Sequence, residues 1–125
     1  MSNVISMDDR VSKNPQRTGT LRDRRYAIRY PFAADAALVE LASGTRTEGV
    51  TSDLSPGGCF ICTSRPLEMN ARARLVLKRK NETLEAFVIV RVVKARIGMG
   101  VEFVDVDAPF DTVLVRWIEQ LRRSR

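Results

Sequence analysis

Between residues 33 and 105 the chain is cut into six short apolar stretches, each closed by a turn signal. That spacing leaves little besides a small antiparallel β-structure, a barrel or a sandwich. The first stretch, 36–41, ends at Ser43 and Gly44, and the second, 46–52, runs into Ser55, Pro56, Gly57 and Gly58. The third, 58–63, is followed by Arg65 and Pro66. The fourth, 71–78, alternates cleanly: Ala73, Leu75 and Leu77 face one way, Arg72, Arg74 and Lys78 the other. Lys80, Asn81 and Glu82 make a turn. The fifth, 84–94, carries AFVIVRVV, too apolar for a strand with one wet face. The sixth, 98–104, alternates again, with Met99, Val101 and Phe103 inward.

The period then changes. Asp107, Ala108 and Pro109 read as a helix start, and Phe110, Val113, Leu114, Trp117, Ile118 and Leu121 lie on one helical face over 108–123. Arg122, Arg123 and Arg125 suit the negative end of the helix dipole. The first expectation is a helix that caps an open barrel end. The second is a dimerisation helix, anchored by Trp117 and Phe110.

At 125 residues the chain suits one domain with its own core. No apolar run reaches the roughly 18 residues needed to span a bilayer. The first ten residues, MSNVISMDDR, lack the basic-then-apolar order of a signal peptide. A cytoplasmic location is therefore expected. There is no histidine, so the commonest general base and metal ligand is missing. Cys59 and Cys62 are the only cysteines. Three apart on a strand, they point to opposite faces, and a tetrahedral metal site would need two further ligands. Both are read as small buried hydrophobes.

The net charge is +6, and residues 1–30 hold seven basic against three acidic residues. Most of the excess therefore sits at the N-terminal end, which suggests a phosphate-bearing partner. Residues 1–20 are polar and aperiodic and read as a disordered leader. Residues 21–30, LRDRRYAIRY, interleave four arginines with Tyr26, Ile28 and Tyr30, and Pro31 follows. Arg25 and Arg29 share a face if this arm turns helically, and lie about 13 Å apart if it is extended. Arginine binds phosphate or a guanine edge with two parallel hydrogen bonds.

The other polar concentration is TSDLSPGGCF at 51–60. It reads first as a turn, with Pro56 fixing φ and Gly57 or Gly58 free to take a positive φ. Asp53 and Ser55, two apart on a strand end, put an acceptor-only carboxylate and a hydroxyl on the same side. Gly58 allows close approach to the backbone.

Arg25-x-x-x-Arg29, then Asp53-x-Ser55-x-x-Gly58, then GMGVEF at 98–103 stand in order ahead of the final helix. This resembles the PilZ domain family, the bacterial receptors for cyclic di-GMP, over residues 21–121. The resemblance implies a six-stranded antiparallel β-barrel over 33–105 with a C-terminal α-helix at 108–123. It also implies a flexible basic arm at 21–31, behind the leader. Arg25 and Arg29 become ligand residues from the arm, and Asp53, Ser55 and Gly58 ligand residues from the barrel. Arg24, just before the arginine motif, implies an intercalated pair of cyclic di-GMP per protomer. Guanine offers O6 and N7 to a forked arginine, and its N1–H and N2–H suit the Asp53 carboxylate.

The function implied is a non-enzymatic cytoplasmic receptor or adaptor, with no cofactor. It orders its arm on cyclic di-GMP and signals to a protein partner in motility, biofilm or exopolysaccharide control. A monomer or weak dimer is expected, with no membrane insertion and no specific nucleic acid. The alternative is a small basic barrel that binds nucleic acid. Asp53 in the basic site disfavours it, as does the reading of Phe60, Phe87 and Phe103 as core, which leaves no row of rings for stacking bases.

Overall fold

The computed structural model describes residues 28–124. The leader and most of the arm, Arg24 and Arg25 included, lie outside them. The elements are β1 (Tyr30–Pro31), β2 (Asp35–Glu40), β3 (Arg46–Ser55), β4 (Gly58–Cys62), β5 (Arg72–Arg79), β6 (Glu82–Lys94), β7 (Gly98–Val106) and α1 (Phe110–Arg123). Every strand pairing is antiparallel, in the order β1-β3-β2-β5-β6-β7-β4. Strand β4 also pairs with β3, which closes six strands into a barrel.

The alternation read from the sequence describes the barrel wall. Ala73, Leu75 and Leu77 on β5 are fully buried, as are Leu84, Ala86 and Val90 on β6 and Met99 on β7. Leu38, Leu54 and Ile61 complete the interior. A fully buried Leu, Val or Ile side chain contributes about 1.5–3 kcal/mol, so this interior supplies the driving force for closure. Gly44 takes φ 74°, which glycine adopts freely, whereas Lys80 takes φ 56°, a region uncommon for a residue with a side chain. Neither Gly57 nor Gly58 takes a positive φ, contrary to expectation.

The apolar run on β6 misleads about its outer face. Phe87 was expected in the core but is 37% exposed, with the Arg74 guanidinium 4.8 Å above its ring. Phe60 is also only part-buried, under the Lys94 ammonium at 5.5 Å. Both rings face outward beneath a cation, so neither belongs to the interior. Cys62 is likewise exposed, whereas Cys59 is buried, and that burial pushes its thiol up to about 12. Strand β3 runs past the expected end at 52 through Ser55, so Asp53 and Ser55 stand on a strand end, as expected.

Helix α1 lies against β6 and β1. Trp117, expected among possible dimer anchors, is fully buried: its ring packs 5.1 Å from that of Phe32, and its indole N–H donates to Glu82 Oε1 at 2.7 Å. Arg116 donates to the other carboxylate oxygen of Glu82. The Arg79 guanidinium lies over the Phe32 ring, 4.7 Å from its centre. Trp117 therefore fastens the helix to its own barrel and is not available to a second copy.

The Arg116 and Trp117 hydrogen bonds hold the Glu82 carboxyl below its usual range. A carboxyl depressed in the folded state stabilises the fold above the pH where a free glutamate ionises, and that contribution is lost as pH falls through the folded value. Wild-type stability is expected to fall faster than that of Glu82→Gln between about pH 5 and pH 3. Chemical denaturation at stepped pH checks this, and parallel curves for the two proteins would refute it.

Candidate functional site

Two chain segments that are distant in sequence meet at one end of β3. Pro31 and Tyr30 pair with Asp53 and Leu54, so the residue just before β1, Arg29, arrives beside the Asp53 carboxylate. Arg29 donates to Asp53 Oδ1 at 3.0 Å. The same oxygen accepts the backbone N–H of Phe60 at 3.1 Å, which ties the carboxylate to β4 as well. Among the described residues, Asp53 Oδ2 has no partner.

The root of the arm is held by a buried hydroxyl. Thr51 Oγ1 donates to the Phe32 carbonyl at 2.7 Å and accepts the Ala34 N–H at 2.9 Å. A buried polar group with both functions satisfied is a rigid fastening. Tyr30, 4% exposed, is bonded through its hydroxyl to Arg122 on α1. The chain is therefore anchored immediately after Arg29, by β3 on one side and the helix on the other.

Beside the Arg29–Asp53 pair lies an open groove of about 260 Å³ on the outside of the barrel. Arg29, Ser55 and Gly58 line it from one side, and Arg91, Gly100 and Glu102 from the other. Asp53 reaches it through Arg29. Of the residues singled out in the sequence, four are thus brought together: Arg29, Asp53, Ser55 and Gly58. Arg24 and Arg25 lie outside the described residues.

Two of the four also have structural work. Ser55 is 2% exposed; its hydroxyl donates to the Gly58 carbonyl at 3.3 Å and accepts the Gly57 N–H at 3.2 Å. It braces the two-residue turn between β3 and β4. A Cβ placed on Gly58 would sit 2.0 Å from the Val101 carbonyl oxygen. The space that the missing side chain leaves is thus taken by β7, not held open for a ligand.

Arg91 and Glu102 escaped the sequence reading. Arg91 Nε donates to Glu102 Oε1 at 2.8 Å across β6 and β7. The available signals were a lone cation within AFVIVRVV and the one acid within GMGVEF. Alternation alone assigns both to an ordinary solvated face.

The fold and site define a class of protein: a closed antiparallel barrel with a basic arm root beside an acid, next to an open groove. The chain matches the PilZ domain model over residues 23–120 and belongs to the PilZ domain family. Among solved structures it resembles the PilZ domain of YcgR from Escherichia coli with c-di-GMP, at TM-score 0.66 and 18% identity, covering 82% of this chain and 94% of that one. It resembles the PilZ domain of CeSA from a cellulose-synthesizing bacterium at TM-score 0.60 and 20% identity, covering 76% and 98%. The inhibitor of motility MotI/DgrA from Bacillus subtilis matches at TM-score 0.63 and 16% identity, over 82% of this chain and 54% of that one. These structural likenesses establish a shared fold. No curated protein sequence matches the chain.

Two of the groove glycines, Gly58 and Gly100, respond differently to a methyl group. Gly58→Ala forces a backbone shift against Val101 and is expected to cost about 1–3 kcal/mol. In Gly100→Ala the nearest atom, Val92 Cβ, lies 3.4 Å away, and a loss below about 1 kcal/mol is expected. Urea titrations of the two variants compare them directly. Equal stabilities would show that the β4–β7 seam tolerates a side chain at position 58.

Proposed function

We propose that the chain is a non-catalytic receptor for cyclic di-GMP. The observation that carries this reading is the Arg29–Asp53 contact beside an open groove, built from segments twenty-four residues apart. Membership of the PilZ family supports it, as does the likeness to a PilZ domain solved with c-di-GMP. Asp53 Oδ2 is the acceptor for guanine N1–H and N2–H. Arg29, with Arg25 from the arm, forks onto the O6 and N7 edge or the phosphates. Ser55 and Gly58 shape the groove wall, and Ser55 is a further polar contact.

Arg24 adds a cation next to Arg25, so the site takes two stacked nucleotides, whose crowded phosphates need the extra charge. Ligand contacts at Arg25 and Arg29 tie the arm ahead of Tyr30, residues 21–29, to the barrel. The altered surface then meets a protein partner in motility, biofilm or exopolysaccharide control. The receptor works in the cytoplasm, where such a nucleotide is met; no helix among the described residues is long and apolar enough to cross a membrane.

The nucleic-acid alternative fares worse at this groove. Asp53 and Glu102 place carboxylates beside it, and these repel a polyanionic backbone while suiting a base edge. The outward rings of Phe60 and Phe87 do not line this groove, so it holds no row of rings for stacking bases.

Isothermal titration with cyclic di-GMP is expected to show binding at two nucleotides per protomer, falling to one in Arg24→Leu. Asp53→Ala is expected to weaken binding by about 1–3 kcal/mol and to leave cyclic di-AMP, which lacks both guanine donors, unaffected. Wild-type affinity in Asp53→Ala would remove the assigned role, and one nucleotide per protomer in both wild type and Arg24→Leu would remove the pair. Amide exchange across residues 21–30 is expected to slow on ligand addition, and unchanged exchange with ligand bound would remove the arm's part in signalling.

A further inference from the structure

The outer wall of the barrel over β5, β6 and β7 carries an apolar surface that the receptor reading does not use. It follows from the register of one ladder, which slips twice. Val90 pairs with Val101 and Val92 with Gly100, which leaves Arg91 with no residue opposite it. Phe87 pairs with Asp105 and Val88 with Phe103, which leaves Val104 unmatched. At the second slip, two residues of β7 share the span of one on β6. A bulge of this kind breaks the alternation and re-aims a side chain. Strict alternation would send Val104 and Asp105 to opposite faces. Instead both border the same outer groove, and Val104 is 54% exposed.

That groove holds about 150 Å³ and shares no lining residue with the one that Arg29 enters. Phe87 and Ile89 line it from β6, Val104 from β7, and Leu41 from just beyond β2, where its N–H donates to the Arg72 carbonyl. Leu41 is as exposed as Val104. Arg74 lies over the Phe87 ring, but its charge is taken up by Glu85 and Asp107. The charges left on the groove are Arg72 and Asp105. Arg72 on β5 stands opposite Ile89, and Asp105 on β7 stands opposite Phe87. The cation and the anion therefore flank β6 on either side, with the apolar side chains between them. Among the described residues neither has an ion-pair partner.

We propose that this face is where two copies of the chain meet, about a two-fold axis that lies in the plane of the contact and crosses β6 between Arg72 and Asp105. Such a half-turn lays each flank of the face on the opposite flank of the other copy. Arg72 of one copy then meets Asp105 of the other, twice over, and the Phe87 and Ile89 side chains pack together near the axis. The charge pattern selects this occupant. A cation on one flank, an anion on the other and an apolar middle make the face complementary to itself, whereas a uniformly acidic or basic partner would set one of the two charges against its like. The face is small. Six side chains fall well short of the roughly 20–30 residues a side of a standard interface, so the contact is a dissociable one. It seats the self-association away from α1, whose Trp117 is committed to its own barrel. It does not rest on the nucleotide reading.

The test is sedimentation velocity of the full chain, without nucleotide, over roughly a hundredfold range of protein concentration. The average mass is expected to rise from one chain towards two as concentration increases. Val104→Ser and Leu41→Ser are expected to weaken the dimer severalfold while melting close to wild type, because both side chains are largely exposed. Arg72→Asp sets four acids against one another across the contact and is expected to weaken it at least roughly tenfold, and Asp105→Arg does the same with four cations. Arg72→Asp and Asp105→Arg combined in one chain are expected to restore the dimer, since each pair is then rebuilt with its charges exchanged. The two single variants, mixed in equal amounts, are expected to pair with each other more tightly than either pairs with itself.

A mass of one chain at every concentration overturns the proposal and leaves the face to a different partner. A dimer that persists unchanged in Val104→Ser, Arg72→Asp and Asp105→Arg overturns the assignment of the contact to this face. Weakening in the single charge variants with no recovery in the combined variant or in the mixture overturns the Arg72–Asp105 pairing across a two-fold axis.

Discussion

Strand β4 carries two ladders in five residues, and the molecule depends on that closure. It pairs with β3 through Val50 to Ser55 and with β7 through Gly98 to Glu102. Backbones come so close on both sides that no side chain fits at three positions. A Cβ on Gly49 would meet the Cys62 carbonyl oxygen at 2.1 Å, on Gly58 that of Val101 at 2.0 Å, and on Gly98 that of Ile61 at 2.3 Å. The absence of a β-carbon at these points is what lets six strands close around the Leu-rich interior. The groove is a product of the same seam, since its floor and walls are the outer faces of the strands that meet there.

Ligand-facing and structural duties therefore share residues. Ser55 braces the turn that starts β4, and Asp53 joins Arg29 to the β4 backbone. Stability and recognition cannot be varied independently at such positions, because one hydroxyl or one carboxylate oxygen serves both. The Arg91–Glu102 bridge differs in this respect, because it lies part-exposed on the outer face of the barrel.

The root of the arm is continuous with the helix. Thr51 fastens Phe32 and Ala34 to β3, Phe32 packs on Trp117, and Trp117 bonds to Glu82 at the start of β6. Tyr30 adds a bond to Arg122. Whatever grips Arg29 thus acts within three residues of side chains that seat α1. On the outer surface of that helix Val115 is 60% exposed.

The sequence by itself determined the strand count of the barrel, the inward face of β5, the helix and its buried side, and most of the polar site. These are local properties: a period of two or 3.6, a turn residue, or a short motif states them within a dozen positions. The apolar run of β6 could not reveal that Phe87 points outward beneath Arg74, because both faces of that strand are hydrophobic and only the neighbouring strand supplies the covering cation. Cys62 was misjudged for the same reason, as exposure depends on what packs alongside. The meeting of Arg29 with Asp53, and of Arg91 with Glu102 opposite Gly58, was decided only by the tertiary structure. Those contacts follow from ladder register and from one bulge, which are set by the closure of the whole barrel and by no segment alone.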